Sequence, residues 1–132
     1  MAGTDRPKAL LRIHVQATAQ AQRNQLMPIT LVDPPQVIMV YKKPVLTEQD
    51  IASAETLPGG KALIIFSEKG KKALEQTTKN HAGAILAILC NNRLAYAPVI
   101  DVVLTDGRII VPDGILPEEV DLFQKIARKN KD

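Results

Sequence analysis

Residues 84–104 read AILAILCNNRLAYAPVIDVVL, and the way this stretch divides decides the fold. An apolar run reaches Cys90, breaks at Asn91-Asn92, resumes through Tyr96, bends at Pro98 and continues as Val99 to Leu104. Asn tolerates the positive φ that a tight turn of the correct twist requires, so the two halves read as a β-hairpin at the centre of a sheet. The stretch is nearly all carbon: it holds no nucleophile beside a base, no ligand cluster and no phosphate cradle. Its side chains name no activity, so function has to be sought on surfaces.

Upstream of the hairpin, Ala62 to Phe66 is a strand with carbon on both faces, and Ser67 is placed to cap a helix. Gly70, Ala73, Leu74 and Thr77 then fall at offsets of three, four and seven, giving one continuous stripe, while Lys69, Lys71, Lys72, Glu75, Gln76 and Lys79 are left for water. Gly83 is suited to a helix stop. Downstream, Thr105-Asp106-Gly107 supplies a turn and Arg108 to Val111 a short return strand. Pro117 opens a terminal helix, with Glu118 and Glu119 at its positive dipole end and Val120, Phe123, Ile126 and Ala127 as its buried stripe.

Nearer the amino terminus, Leu11, Ile13, Val15 and Ala17 alternate with Arg12, His14 and Gln16, the period-two pattern of a strand with one wet side. Residues 18–27 have no clear apolar period and read as a loop. Ile29 to Val32 and Gln36 to Tyr41 are strands separated by Asp33-Pro34-Pro35, a turn at a sheet margin because proline cannot donate to a ladder. Thr47 with Asp50 resembles a capping box and predicts a short helix to about Glu55, stopped by Pro58-Gly59-Gly60.

The order of elements predicts a single α+β domain over 1–132: an antiparallel or mixed β-sheet with helices packed mainly on one face, a ferredoxin-like type of sandwich. Residues 1–59 supply strands and a short helix, and 60–132 a second unit of strand, helix, hairpin, return strand and helix. Strands 62–66 and 84–90 are apolar on both faces, yet only two sizeable helices are available to cover them. Either the short helix after Thr47 and the amino-terminal segment cover the second face, which is the expected arrangement, or a second copy does, as a homodimer.

At 132 residues, 45% apolar and 23% charged, the composition is that of a soluble globular protein with one core, and no stretch approaches the roughly 20 apolar residues of a bilayer span. The net charge is +3, with Lys69, Lys71 and Lys72 clustered and a tail of Arg128, Lys129 and Lys131, which reads as a solvated helix face and tail. Only Phe66, Phe123, Tyr41 and Tyr96 are aromatic, too few exposed rings for a stacking platform, so nucleic acid is disfavoured as a partner. The start, MAGTDRPK, lacks the zones of a secretory signal, leaving either a cytoplasmic protein or one whose leader or anchor precedes Met1.

The chemistry-bearing residues read as structural. His14 sits on the polar face of a strand and His81 closes a helix, where imidazole can bond the last carbonyls. Cys90, the only cysteine, ends an apolar strand and behaves as a small hydrophobe, with Arg93 lying across the turn. Asp101, Asp106 and Asp113 are too loosely spaced for a metal loop, and Pro58-Gly59-Gly60-Lys61 precedes a strand, not a helix, which rules out a phosphate loop.

From about Gly60 to Ala127, the ordered set of Phe66, Ser67 with Gly70, Thr77, Gly83, Ala84 to Leu89, the Asn91-Asn92 turn, Ala97-Pro98-Val99-Ile100 and Pro117-Glu118-Glu119 resembles the head subdomain of the first large periplasmic domain of SecD, the membrane component that assists protein export. The family's turn is commonly Asp-Gly where this chain has Asn91-Asn92, and the family's transmembrane helices have no counterpart here. The resemblance implies a stand-alone or excised head-like domain on the periplasmic side of a cell envelope, with no catalytic residue carried over; the residues themselves lead to no expected cofactor or metal.

The expected function is therefore to bind a polypeptide or protein partner, linked to export, through a sheet edge or an apolar groove. Candidate contacts are Arg12, His14 and Gln16 on the wet margin and Asn91, Asn92 and Arg93 at the hairpin. The alternative is a structural module that assembles through its sheet as a homodimer. An enzyme using Cys90 or a histidine ranks last, because no base, nucleophile and orienting group assemble.

Overall fold

Leu11, Ile13 and Val15, alternate residues of the first strand, are each at most 2% exposed and point into one core. The computed structural model describes residues 9–32 and 34–130. Its strands are β1 (Leu11–Val15), β2 (Leu26–Val32), β3 (Pro35–Tyr41), β4 (Leu46–Thr47), β5 (Ile51–Leu57), β6 (Lys61–Phe66), β7 (Leu86–Cys90), β8 (Arg93–Tyr96) and β9 (Arg108–Val111); the helices are α1 (Glu68–Asn80) and α2 (Pro117–Asn130). The fold is α+β, and all strand pairings are antiparallel. The strands form three groups: a sheet ordered β4-β1-β7-β8, a sheet ordered β5-β6-β9, and a two-stranded ribbon, β2-β3.

Asn91 and Asn92 turn the β7–β8 hairpin with φ of 51° and 68°, the left-handed conformation their short side chains tolerate. β7 lies between β1 and β8, but β8 is the edge of that sheet, so the first half of the hairpin is central and the second half is marginal. The continuation past Pro98 departs from expectation: Val99 makes a single bridge to Ile85, and the chain to Leu104 is irregular, with Val99, Val102 and Val103 exposed. The amide of Leu104 donates to Thr78 Oγ1 at 3.0 Å, so a buried helix hydroxyl holds this segment where a ladder would otherwise run.

Thr47 and Asp50 do form a capping box, but the helix expected to reach Glu55 is a single 3-10 turn, Glu48–Asp50. The chain then enters β5, because Ile51 and Ala54 are buried there while Ile51 to Glu55 pair with Leu63 to Phe66 of β6, which outweighs the roughly one and a half further turns of exposed helix that the expectation required. α2 closes the open edge of β5. Gln124 Oε1 accepts from the Ala54 amide at 2.8 Å, and Asn130 Nδ2 donates to the Ile51 carbonyl at 3.2 Å.

The main core joins the inward faces of both larger sheets to Leu74 of α1 and to Val120, Phe123 and Ala127 of α2. Helices thus cover one face of the β4-β1-β7-β8 sheet. Its other face is covered within the chain, though not by a helix: Ile29, Leu31, Ile38 and Val40 of the ribbon pack on Ala87, with Ile85 and Leu89 alongside. The apolar surface on which a sheet-face homodimer was to form is occupied by this ribbon. β2 begins at Leu26, within the expected loop, and the expected Asp33-Pro34-Pro35 turn falls partly outside the described residues.

Gly70 explains the Ser-x-x-Gly spacing. Ser67 Oγ accepts from the Gly70 amide at 3.2 Å, capping α1, and a Cβ on Gly70 would stand 3.0 Å from Phe66 Cβ and 3.1 Å from Asp50 Cβ. Helix, strand and 3-10 turn therefore meet at a point with no room for a methyl group.

Candidate functional site

Glu119 organises one end of the hairpin. Read in the sequence only as a dipole charge, it is 6% exposed and accepts four hydrogen bonds: two from the Arg93 guanidinium, one from Asn91 Nδ2 and one from the Leu116 amide at 2.8 Å. The Arg93 bonds, chief among these, draw the carboxyl down to about 2 against the opposing effect of burial. Arg93 also donates to the Gly114 carbonyl at 2.7 Å, and Asn91 Oδ1 accepts from the Leu10 amide at 2.9 Å. Gly114, with φ +95°, lies so close that a Cβ would be 2.9 Å from the Ala95 backbone. The cluster locks the hairpin to the first turn of α2.

The six candidate contacts are consequently dispersed in role. Arg12 pairs with Glu48, and Gln16 Oε1 accepts from the Ile85 amide at 3.0 Å. His14 does not lie on a wet face: the ribbon covers it to 3% exposure, with Nδ1 2.7 Å from the Tyr41 carbonyl oxygen. β1 is a two-faced strand, as its alternation implies; His14 on the second face is buried because the β2–β3 ribbon, Leu26–Tyr41, lies over it, while Arg12 and Gln16 stay half-buried. Asn91 and Arg93 belong to the Glu119 cluster. Asn92 is exposed at the hairpin tip, and its side chain makes no hydrogen bond among the described residues.

Cys90 is buried at the end of β7, and its thiol is pushed up to about 12, first by desolvation and then by the Glu119 charge. Burial, the largest effect, holds His14 below the ordinary imidazole value, with Arg12 adding to it and the Tyr41 carbonyl opposing. Among the described residues, no group of three or more His, Cys, Asp or Glu comes together as metal ligands would. The charged groups that act on Cys90 are Glu119 and Arg93, and neither histidine is among them.

One concave feature lies between the two larger sheets. It is a cleft of about 200 Å³ floored by Leu86, Ile88, Ile100 and Ile109, with Tyr96 from β8 on one side and Arg108 and Ile110 from β9 on the other. β8 and β9 are the edge strands of their respective sheets, so the cleft sits where two open edges approach. Its mouth is carbon-rich: Val99 is 57%, Val102 61% and Ile110 51% exposed, with Asp101 and Arg108 beside them. The irregular segment after Pro98, tied down by Thr78, forms one wall. Such a site can take up an apolar side chain and offer charged and main-chain groups around it; it holds no constellation for bond-making.

The family model for the SecDF, P1 head subdomain matches residues 18–120. The chain belongs to this family. The match takes in β2 to β9 and both cleft walls, and so begins well before Gly60, where the ordered motifs were legible. A solved structure of SecDF, a membrane component that enhances protein export, aligns at 23% identity over 91% of this chain and 62% of the other, with a TM-score of 0.63. SecDF in a super-membrane-facing form aligns at 23% identity over 91% of this chain and 18% of the other, with a TM-score of 0.62. The translocon-associated membrane protein SecDF from Thermus thermophilus aligns at 20% identity over 94% and 20%, with a TM-score of 0.50. The head domain spans less than two thirds of these chains. No curated protein matches it. No described helix is long and apolar enough to cross a membrane.

Proposed function

We propose that this head domain is a non-catalytic polypeptide-binding unit that works in protein export on the periplasmic side of the envelope, and that the cleft between β8 and β9 is where the polypeptide sits. The observation that carries the reading is the joining of an apolar pocket, sized for one bulky side chain, to two edge strands. An extended chain binds such an arrangement by main-chain hydrogen bonds to an edge and by burying every second side chain, which accommodates many sequences. That suits a domain whose side chains declare no specificity. Membership of the SecDF P1 head family supports the export context. Of the six candidate contacts, Asn92 is the one whose side chain makes no hydrogen bond among the described residues, and it extends the surface at the turn that leads into β8.

The test is a titration with a reduced, permanently unfolded polypeptide, followed by amide NMR. Signals of residues 94–102 and 108–111 are expected to move, while those of the buried β1 strand stay still. Shifts confined to other elements, or none at all, refute the assignment.

A further inference from the structure

The β2–β3 ribbon buries one face against the large sheet and leaves the other open. The register places Leu26 opposite Tyr41, Pro28 opposite Met39, Thr30 opposite Val37 and Val32 opposite Pro35, and these residues alternate with the buried Ile29, Leu31, Ile38 and Val40. No charged side chain stands on this open face, where Val32 is 79%, Val37 62% and Met39 42% exposed. Aliphatic surface of this kind needs a partner or a reason.

At its base the face runs into cations. Leu26 and Met39 line a groove of about 600 Å³ together with Arg23 and Thr18. The Lys42 amide donates to the Gln25 carbonyl at 2.8 Å, which sets Lys42 and Lys43 beside the turn that carries Arg23. The Tyr41 ring meets His81 edge-on, 6.3 Å between centroids, and so brings in the last turn of α1 with Lys79. Arg23, Lys42, Lys43 and Lys79 are all exposed, and none is in an ion pair with another described residue. Residues 18–32, 34–47 and 76–89, which carry the ribbon, its base and the segments beside it, contain no Asp or Glu. Among the described residues the acids lie elsewhere, in 48–75 and 101–121; Asp33, in the link between β2 and β3, lies outside the described residues.

We propose that the open ribbon face and its basic rim form a surface that docks peripherally on a bilayer bearing anionic phospholipid headgroups. Aliphatic side chains next to lysines and an arginine match the acyl boundary and the phosphates above it, the pairing that holds interfacial proteins to membranes. An acidic polypeptide would satisfy the cations but leave Val32, Val37 and Met39 in water. A nucleic acid would need several exposed rings, and the ribbon itself carries a single aromatic residue, Tyr41. Each cation near an anionic surface strengthens binding by about fivefold, and the four together by several-hundredfold. The inference uses a surface separate from the β8–β9 cleft and stands or falls independently of it.

Co-sedimentation of the purified domain with vesicles tests it, using phosphatidylcholine alone and phosphatidylcholine mixed with phosphatidylglycerol. The domain is expected to pellet with the anionic vesicles only and to be released at about 1 M salt, where the Debye length falls to about 3 Å. Replacing Arg23, Lys42, Lys43 and Lys79 by Gln should abolish pelleting, and Val37→Ser with Met39→Ser should weaken it several-fold. Lys69→Gln with Lys72→Gln, in the first two turns of α1, should leave it unchanged. Circular dichroism confirms that each variant is folded. Equal pelleting with both vesicle types, no pelleting with either, or loss in the Lys69/Lys72 variant as large as in the rim variant overturns the proposal. Tight binding of polyglutamate without vesicle binding would assign the rim to an acidic polypeptide instead.

Discussion

Replacing Glu119 by Gln removes the charge that fastens the hairpin to α2 while keeping the side chain's shape. The wild-type carboxyl, displaced from 4.5 to about 2, contributes at most about 3 kcal/mol to stability at neutral pH. The Arg93 side chain is 43% exposed, so water screens part of that, and about 2 kcal/mol is the expected loss. A Gln amide group would also point a donor at the guanidinium donors. Because the folded value lies below the unfolded one, the contribution is full above about pH 4.5 and disappears as pH falls toward 2. Urea denaturation should therefore show the Glu119→Gln midpoint about 1 M lower at pH 7 and the two proteins converging near pH 2. In an Arg93→Met background the same substitution should cost clearly less. Equal midpoints at pH 7, or a gap that does not close on acidification, would refute the clamp.

Other substitutions and conditions probe separate parts of the structure. Gly70→Ala should destabilise by about 1–3 kcal/mol in thermal melts, because its methyl group meets Phe66 and Asp50 at 3.0–3.1 Å. Gly114→Ala should cost at least as much, since it combines a φ of +95° with a 2.9 Å approach to the Ala95 backbone. Cys90 should resist iodoacetamide at pH 8 in the folded protein and react fully in urea, its thiol being buried and raised to about 12. His14, held below 6.5 in the folded state, should cause stability to fall as pH drops through 6.5, a loss absent in a folded variant lacking the imidazole, such as His14→Gln.

What was legible in the sequence was what local chemistry dictates. Asn91-Asn92 announced its turn, Ser67 its helix cap, Pro117 a helix start, and the 3.6-residue stripes the buried sides of α1 and α2. The failures came where distant chain decides. Thr47 and Asp50 made the cap as read, but whether the next residues coil or extend depends on β6 being available to pair with them. His14 looked wet because the ribbon that covers it is brought back by tertiary packing, which alternation within β1 cannot report. The Glu119 cluster draws on residues 10, 91, 93, 114, 116 and 119, and the cleft joins four chain segments, so neither had a compact motif to find.

The most direct test of the account is the affinity of a fluorescently labelled unfolded polypeptide for the wild-type domain and for Ile110→Asp. Ile110 is 51% exposed at the cleft mouth, so the substitution should leave the fold intact. Losing its apolar contact is worth about 1.5 kcal/mol, and anisotropy should show binding weakened by roughly tenfold. Unchanged affinity in the folded variant would contradict the assignment of the cleft as the polypeptide's seat.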